Sequence, residues 1–96
     1  MNKSERIRIY ERAIAKWGED IQVDMAIEEC AGLIHQLCKY RREGENESRA
    51  MLILEEMVDV RVMIEQLQLI LDISDADIDY HMGRKLERLR KRMEES

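Results

Sequence analysis

The fold is decided by the stretch from Arg49 to Leu71, RAMLILEEMVDVRVMIEQLQLIL. Its apolar residues recur at helical spacing on two sides of one helix. The first side holds Leu52, Met63, Leu67 and Ile70, and the second holds Leu54, Val58, Val62 and Leu69. Because both sides need to be covered, we expect this helix to lie at the centre of an assembly. In a chain of 96 residues that favours an oligomer.

Three further helices are predicted around this segment. The first runs from an N-cap at Ser4 to Trp17 and stops at Gly18, and the second covers Glu19 to Arg42. A polar loop follows at Glu43 to Ser48, and the fourth helix begins at Ser74 or Asp75 and extends to about Met93. The absence of Pro and Phe also favours helices over sheets. We therefore predict a single all-α domain of four helices spanning residues 1–96.

Charge and cysteine usage limit the partners and the compartment. The net charge of −5 argues against a nucleic-acid polymer as the main partner. Cys30 and Cys38 lie about 12 Å apart along one helix, too far for a disulfide, so we expect reduced core or interface thiols. The chain opens without a secretory signal pattern and contains no long apolar run, which predicts a cytoplasmic protein with no membrane partner.

Three acidic residues are predicted to meet between the second and third helices. Glu56 and Asp59 fall within about 60° of each other, on the same stripe as Leu52 and Met63. On the second helix, Glu29 shares a half-buried face with Gln22, Met25, Leu33 and Gln36. Antiparallel packing of the two helices would bring these faces together.

Carboxylates on an apolar stripe need neutralisation, because burying a bare charge is costly. Three converging acids suit a hard cation such as Mg²⁺, with Mn²⁺ as an alternative, and the bound ion would in turn attract phosphate oxygens. The competing interpretation is ordinary helix ion pairing with Arg61, Lys39 or Arg88.

The fourth helix carries a basic stripe. His81, Lys85, Arg88 and Arg92 share one face, and Lys85 and Arg88 are nearest the middle of the helix. These two could contact phosphates. The alternative is a solvated helix end, where cations are favoured near the C-terminus.

Two segments carry a family resemblance. They are AIEECAGLI at residues 26–34 and LEEMVDV at residues 54–60, flanked by Lys16-Trp17-Gly18, Gln22 and Lys85-x-x-Arg88-Leu89. Together they resemble the MazG-like all-α nucleotide pyrophosphohydrolases, related to dimeric dUTPases, whose signature is EExxE followed by ExxD. The resemblance implies a four-helix MazG-like bundle completed by oligomerisation. A dimer is the simplest closed form, whereas a tetramer would bury the third helix more fully.

The resemblance also implies an activity: a nucleoside triphosphate and water give a nucleoside monophosphate and pyrophosphate. Glu29, Glu56 and Asp59 match metal ligands, and Glu28 matches the first acid of the signature. In such a site a metal-activated water attacks phosphorus, and Glu28 or Glu29 accepts its proton. Lys85 and Arg88 match a phosphate-contacting segment. Gln22 would contact a base edge or fill a polar patch, and Trp17 would stack on a base or belong to the core.

One position departs from the signature, since its third acid is Gly32 here. Three explanations are open: water fills the coordination position, Gln36 supplies an oxygen, or the chain has lost catalysis and kept the fold. The last explanation gives the alternative function, a catalytically degenerate nucleotide-binding or protein-interaction module. A purely structural helical assembly without a site is the third hypothesis.

Overall fold

The computed structural model describes all 96 residues, Met1 to Ser96, as four α-helices without a strand. The helices are α1 (Lys3–Trp17), α2 (Glu19–Glu43), α3 (Glu47–Leu71) and α4 (Asp75–Glu95). The prediction of an all-α chain with four helices is therefore confirmed.

The helix ends differ from prediction where a neighbouring side chain makes the better cap. The Ser4 cap is wrong, because the side chain of Asn2 accepts from the backbone N–H of Glu5 at 2.9 Å. Asn46 likewise accepts from Arg49 at 2.8 Å, so α3 starts early and the loop shrinks to residues 44–46. Ser74 caps α4 as predicted.

An antiparallel pair, α2 and α3, forms the body of the fold. Contacts at three levels set its register: Gln22 with Gln66, Gly32 beside Glu56, and Gln36 with Arg49. The helix α1 packs across both partners at one end of this pair. Only five side chains are buried, namely Tyr10, Gln22, Ala26, Met63 and Gln66. On the predicted first side of α3, Met63 lies in the small core and Leu67 and Ile70 are half-buried, whereas Leu52 is exposed.

The second apolar side of α3 stays uncovered within one chain. Val58 is 50% exposed, and Leu54, Val62 and Leu69 are exposed with it. The last helix, α4, packs along none of the other three, and its apolar residues are exposed except Ile78, which is half-buried. Its side-chain links to them are made by its first residue, Asp75, to Lys3 and Gln68. A single chain therefore forms a three-helix body with α4 extending from it, and it does not form a four-helix bundle on its own.

The cysteines and the helix compositions bear on the chain's environment. Cys30 and Cys38 are free and exposed, so the core alternative for these thiols is wrong, and no disulfide joins them. None of the four helices combines the length and the apolar composition required to cross a membrane.

Candidate metal centre

The three predicted carboxylates meet across the α2–α3 pair. Glu29 and Glu56 are half-buried, Asp59 is exposed, and one carboxylate oxygen from each lies within 4.8 Å of the other two. Antiparallel packing causes this meeting, because Glu29 lies midway along α2 and ExxD lies midway along α3. The predicted convergence of Glu29, Glu56 and Asp59 is therefore present in the structure.

No basic side chain neutralises this group. The four ion pairs of the chain join Lys3 to Asp75, Arg6 to Glu65, Arg49 to Glu43 and Arg90 to Glu87. None of them includes Glu29, Glu56 or Asp59, so the alternative of ion pairs with Arg61, Lys39 or Arg88 is wrong. Three acids meet here without a protein counter-charge, which favours a proton or a cation between them.

The electrostatics of Glu29 reflect this crowding. Partial burial raises its pKa first, and the negative charge of Asp59 raises it further, with smaller effects from Glu56 and Glu28. Burial and like charge both disfavour an ionised carboxylate. A cation that binds the three oxygens would reverse this penalty, because it replaces repulsion with attraction.

The donor set suits Mg²⁺ or Mn²⁺. It consists only of carboxylate oxygens, which hard cations prefer, and the exposed side leaves room for waters in the remaining coordination positions. The backbone of α2 also leaves space at Gly32 for the carboxylate of Glu56. A Cβ built on Gly32 would lie 2.6 Å from Oε2 of Glu56, so the glycine leaves a cradle for that carboxylate.

The other motif positions lie outside the three-acid group. Glu28 is exposed on a neighbouring face of α2 and contributes no oxygen to it. Gln36, which was predicted as one possible source of an oxygen in place of the third motif acid, already accepts from Nη1 of Arg49 at 2.8 Å through its Oε1. That bond joins Gln36 to Arg49 at this level of the α2–α3 pair.

A groove next to the carboxylates brings together the two residues predicted to contact a base. Trp17 and Gln22 line a space of about 440 Å³ with Met25, Met63 and other neighbours. Met25 lies one turn before Glu29, and Met63 one turn after Asp59, so the groove continues the line of the acidic group. Trp17 is 52% exposed, which makes the core alternative for this side chain wrong within one chain.

Hydrogen bonds fix the floor of this groove. Nε2 of Gln22 donates to Oε1 of Gln66 at 2.7 Å, and Nε2 of Gln66 donates to Sδ of Met63 at 3.5 Å. Both glutamines are buried, and their pairing compensates for the desolvation of the amides. The pair also leaves Oε1 of Gln22 as an acceptor that it does not use.

The predicted phosphate-contacting cations occupy a different region. Lys85 and Arg88 are exposed in the middle of α4, and α4 does not pack on α2 or α3. One chain therefore does not bring them to the carboxylates. Their role as substrate contacts stays a prediction for an assembly of more than one chain.

Two residues contribute to this region in ways that the sequence did not predict. Arg49 links the ends of α2 and α3 by donating to Gln36 and to Glu43, the latter at 2.5 Å. Met25 lines the groove, although the sequence places it only on the half-buried face of Glu29. The i, i+4 spacing of Met25 to Glu29 was the available signal, since such residues share a face.

Comparison with known proteins adds no relative: no family model, curated protein or solved structure matches the chain.

Proposed function

We propose that the protein is a Mg²⁺-dependent nucleotide pyrophosphohydrolase of the MazG-like type, which converts an NTP or dNTP to the monophosphate and pyrophosphate. The observation that carries the proposal is the meeting of Glu29, Glu56 and Asp59 without a basic partner. The adjoining groove, of a size usual for small-molecule sites, supports a ligand with an apolar part and an anionic part.

Each part of the substrate has a counterpart in this arrangement. Glu29, Glu56 and Asp59 would hold Mg²⁺, or Mn²⁺ in its place. The bound ion would supply positive charge to the phosphate oxygens and lower the pKa of an attacking water. The water forms a bond to phosphorus as the bond to the pyrophosphate oxygen breaks. Its proton passes to a carboxylate, for which Glu29 and the adjacent Glu28 are the candidates.

The groove would receive the base. The indole of Trp17 offers a face for stacking, and the free acceptor of Gln22 could bind an exocyclic amine or a ring N–H. Met25 and Met63 provide apolar walls between this end and the acids. This order, from Trp17 through the methionines to Glu29, matches the order of base, sugar and phosphates in a nucleotide.

The surface area supports a homo-oligomer. The chain exposes 7888 Å², whereas a folded monomer of this mass typically exposes about 5,800 Å². Its radius of gyration is 16.4 Å, against about 12.5 Å for a compact domain of this length. The difference of about 2,000 Å² per chain is in the range that obligate dimers bury. A second copy covering α3 and α4 would complete the bundle and bring Lys85 and Arg88 to an acidic group.

The alternative function is a degenerate nucleotide-binding or protein-interaction module on the same fold. It is favoured by Gly32 in place of the third motif acid and by the exposed position of Glu28. Such a module would bind a nucleotide without releasing pyrophosphate.

An assay of pyrophosphate release tests the proposal. The full chain is incubated with a panel of NTPs and dNTPs, with Mg²⁺ and with chelator, beside the variants Glu56→Ala and Glu55→Ala. Glu55 is an exposed acid next in sequence to Glu56 and outside the metal group, so it serves as the matched control. We expect Mg²⁺-dependent release that Glu56→Ala abolishes and Glu55→Ala preserves. Nucleotide binding without release by the wild type would favour the degenerate module instead.

A further inference from the structure

The contact between Gly32 and Glu56 distinguishes this glycine from the other three. Gly18 and Gly44 lie at helix ends with φ of 91° and 83°, where a glycine relieves backbone strain. Gly83 lies inside α4, and a Cβ there would meet nothing within 4 Å. Only at Gly32 is the space of a Cβ taken, by Oε2, Cδ and Oε1 of Glu56 at 2.6, 3.0 and 3.2 Å.

A glycine inside a helix needs a reason, because it lowers helix stability relative to alanine. Gly32 lies in the middle of α2 with ordinary helical geometry, so a turn does not explain it. The contact across the pair does. Without a Cβ at position 32, the carboxylate of Glu56 can lie against the backbone of α2, on the same side as Glu29 and Asp59.

We infer that Gly32 is a positioning residue, which holds open the space where the Glu56 carboxylate joins Glu29 and Asp59 in binding one divalent cation. The inference rests on the proposed metal site and deepens it. The signature places its third acid at position 32, and the space for the Cβ of that acid is not empty. The carboxylate of Glu56 lies there, so the site holds three acids rather than four.

This inference reverses the expected effect of restoring the acid. If the vacancy at position 32 were the only defect, Gly32→Glu would strengthen metal binding. With Glu56 in that volume, the new side chain instead displaces an existing ligand. Gly32→Ala displaces it too, without adding a charge, and is therefore the cleaner test.

The first experiment uses titration calorimetry to measure Mn²⁺ binding to the full chain, with Mg²⁺ as a competitor. Gly32→Ala is compared with Gly83→Ala, which makes the same change inside a helix where space is open. We expect Gly32→Ala to weaken Mn²⁺ binding about 10- to 100-fold, the usual cost of disturbing a ligand's support. Gly83→Ala should leave the affinity unchanged. Equal affinities for the two variants would overturn the inference, as would tighter binding by Gly32→Glu.

The second measurement needs no metal. Thermal unfolding in chelator, at one protein concentration, is followed for Gly32→Ala alone and combined with Glu56→Ala. Relief of the helix penalty alone should raise the midpoint by about 2–8 °C, the range expected for Gly83→Ala. The atoms near position 32 are the flexible end of Glu56, which can move aside when no metal holds it, so Gly32→Ala should gain as much with Glu56 present as with Glu56→Ala. A loss of stability by Gly32→Ala in both backgrounds would show that position 32 disfavours a Cβ for a reason other than Glu56, and would contradict the inference.

The two failures are distinguishable. If the wild type binds no Mn²⁺, the proposed metal site fails, and the role of Gly32 as a positioning residue fails with it, whatever the unfolding cycle shows. If the wild type binds Mn²⁺ and Gly32→Ala binds it equally well, the metal site stands and only the role of Gly32 is refuted.

Discussion

Glu29 and Asp59 face each other across the α2–α3 pair, and the charge of Asp59 adds to partial burial in raising the pKa of Glu29. Neither carboxylate has a basic partner. The folded chain therefore concentrates negative charge that the unfolded chain disperses, and a proton or a cation relieves the same repulsion.

The first prediction concerns the stability of the metal-free protein against pH. An acid with a raised folded-state pKa stabilises the fold fully below its unfolded value, here 4.5, and this stabilisation is lost as the pH rises through the raised pKa. We expect the repulsion among the three carboxylates to be largest at neutral pH.

Adding Mn²⁺ at about 100 times its Kd should then increase the free energy of unfolding by about 2.7 kcal/mol. Urea unfolding with chelator or Mn²⁺ at several pH values measures both effects. Protons compete with cations for carboxylates, so stabilisation by Mn²⁺ should grow with pH. A stabilisation that becomes smaller from pH 5 to pH 7 would contradict this prediction.

The second prediction isolates Glu29 itself. Glu29→Gln keeps the shape of the side chain and removes one of the three charges. Because the repulsion is relieved, we expect the variant to be at least as stable as the wild type in chelator at neutral pH, and to gain little from Mn²⁺. Thermal unfolding with and without metal is the measurement, and Glu55→Gln, at an exposed acid outside the three-acid group, is the control. Destabilisation in chelator by Glu29→Gln would mean that this carboxylate has a partner in the fold.

The third prediction concerns the link between α1 and α3. The hydroxyl of Tyr10 donates to Glu65 at 2.5 Å, and Arg6 donates to the same carboxylate at 3.0 Å. Burial and this bond raise the pKa of Tyr10 to about 12, and the bond from Tyr10, with the help of Arg6, lowers the pKa of Glu65. Tyr10→Phe removes the bond, and we expect a loss of about 1–2 kcal/mol at neutral pH.

The pH dependence of this loss has the opposite sign to that of Glu29. A lowered carboxyl pKa stabilises the fold above 4.5, and the stabilisation disappears as the pH falls through the lowered value. The cost of Tyr10→Phe in urea unfolding should therefore shrink in acid. Tyr80→Phe, in an exposed position on α4, is the control and should cost little at either pH. A cost that persists unchanged in acid would assign the effect to packing.

The fourth prediction tests the groove as a base site. Stacking of a base on an aromatic ring contributes about 1–3 kcal/mol. Trp17→Ala should therefore raise the KM for a nucleotide by roughly 5- to 150-fold while kcat changes little, because the stacking is lost equally from substrate and transition state. Steady-state kinetics across the panel measure it, with Tyr80→Ala as the exposed aromatic control. An unchanged KM would remove Trp17 from the site.

The sequence was sufficient to predict the features that depend on helical periodicity. The placement of Glu56, Asp59 and Glu29 on inward faces follows from residue spacing, and antiparallel packing of adjacent helices brings those faces together. The start of α4 was likewise predicted, with Ser74 or Asp75 as its cap, because a helix N-cap is a local feature. The structure has Ser74 as the cap, in a capping box with Asp77.

Other features depend on contacts between distant residues, which periodicity does not encode. The use of Gly32 arises from the side-chain conformation of Glu56 on another helix. The engagement of Gln36 arises from Arg49, which the sequence places only at a helix start. The outward course of α4 was not predicted either, because its apolar stripe indicates that it needs a partner without indicating which one.

The last prediction concerns that partner. The exposed second side of α3, with Leu54, Val58, Val62 and Leu69, should be covered by another copy of the chain, because a monomer would leave it in water. Val58→Lys places a charge in this surface, whereas Leu71→Lys adds the same charge at the exposed end of α3, on a different side of the helix. We expect the wild type and Leu71→Lys to sediment as a dimer or tetramer at micromolar concentration, and Val58→Lys to dissociate and unfold at lower temperature. A lysine buried without a partner costs far more than one in water, so the difference between the two variants should be several degrees or more. A monomeric wild type, or a Val58→Lys variant of unchanged mass, would mean that α3 is covered by some other protein or not at all.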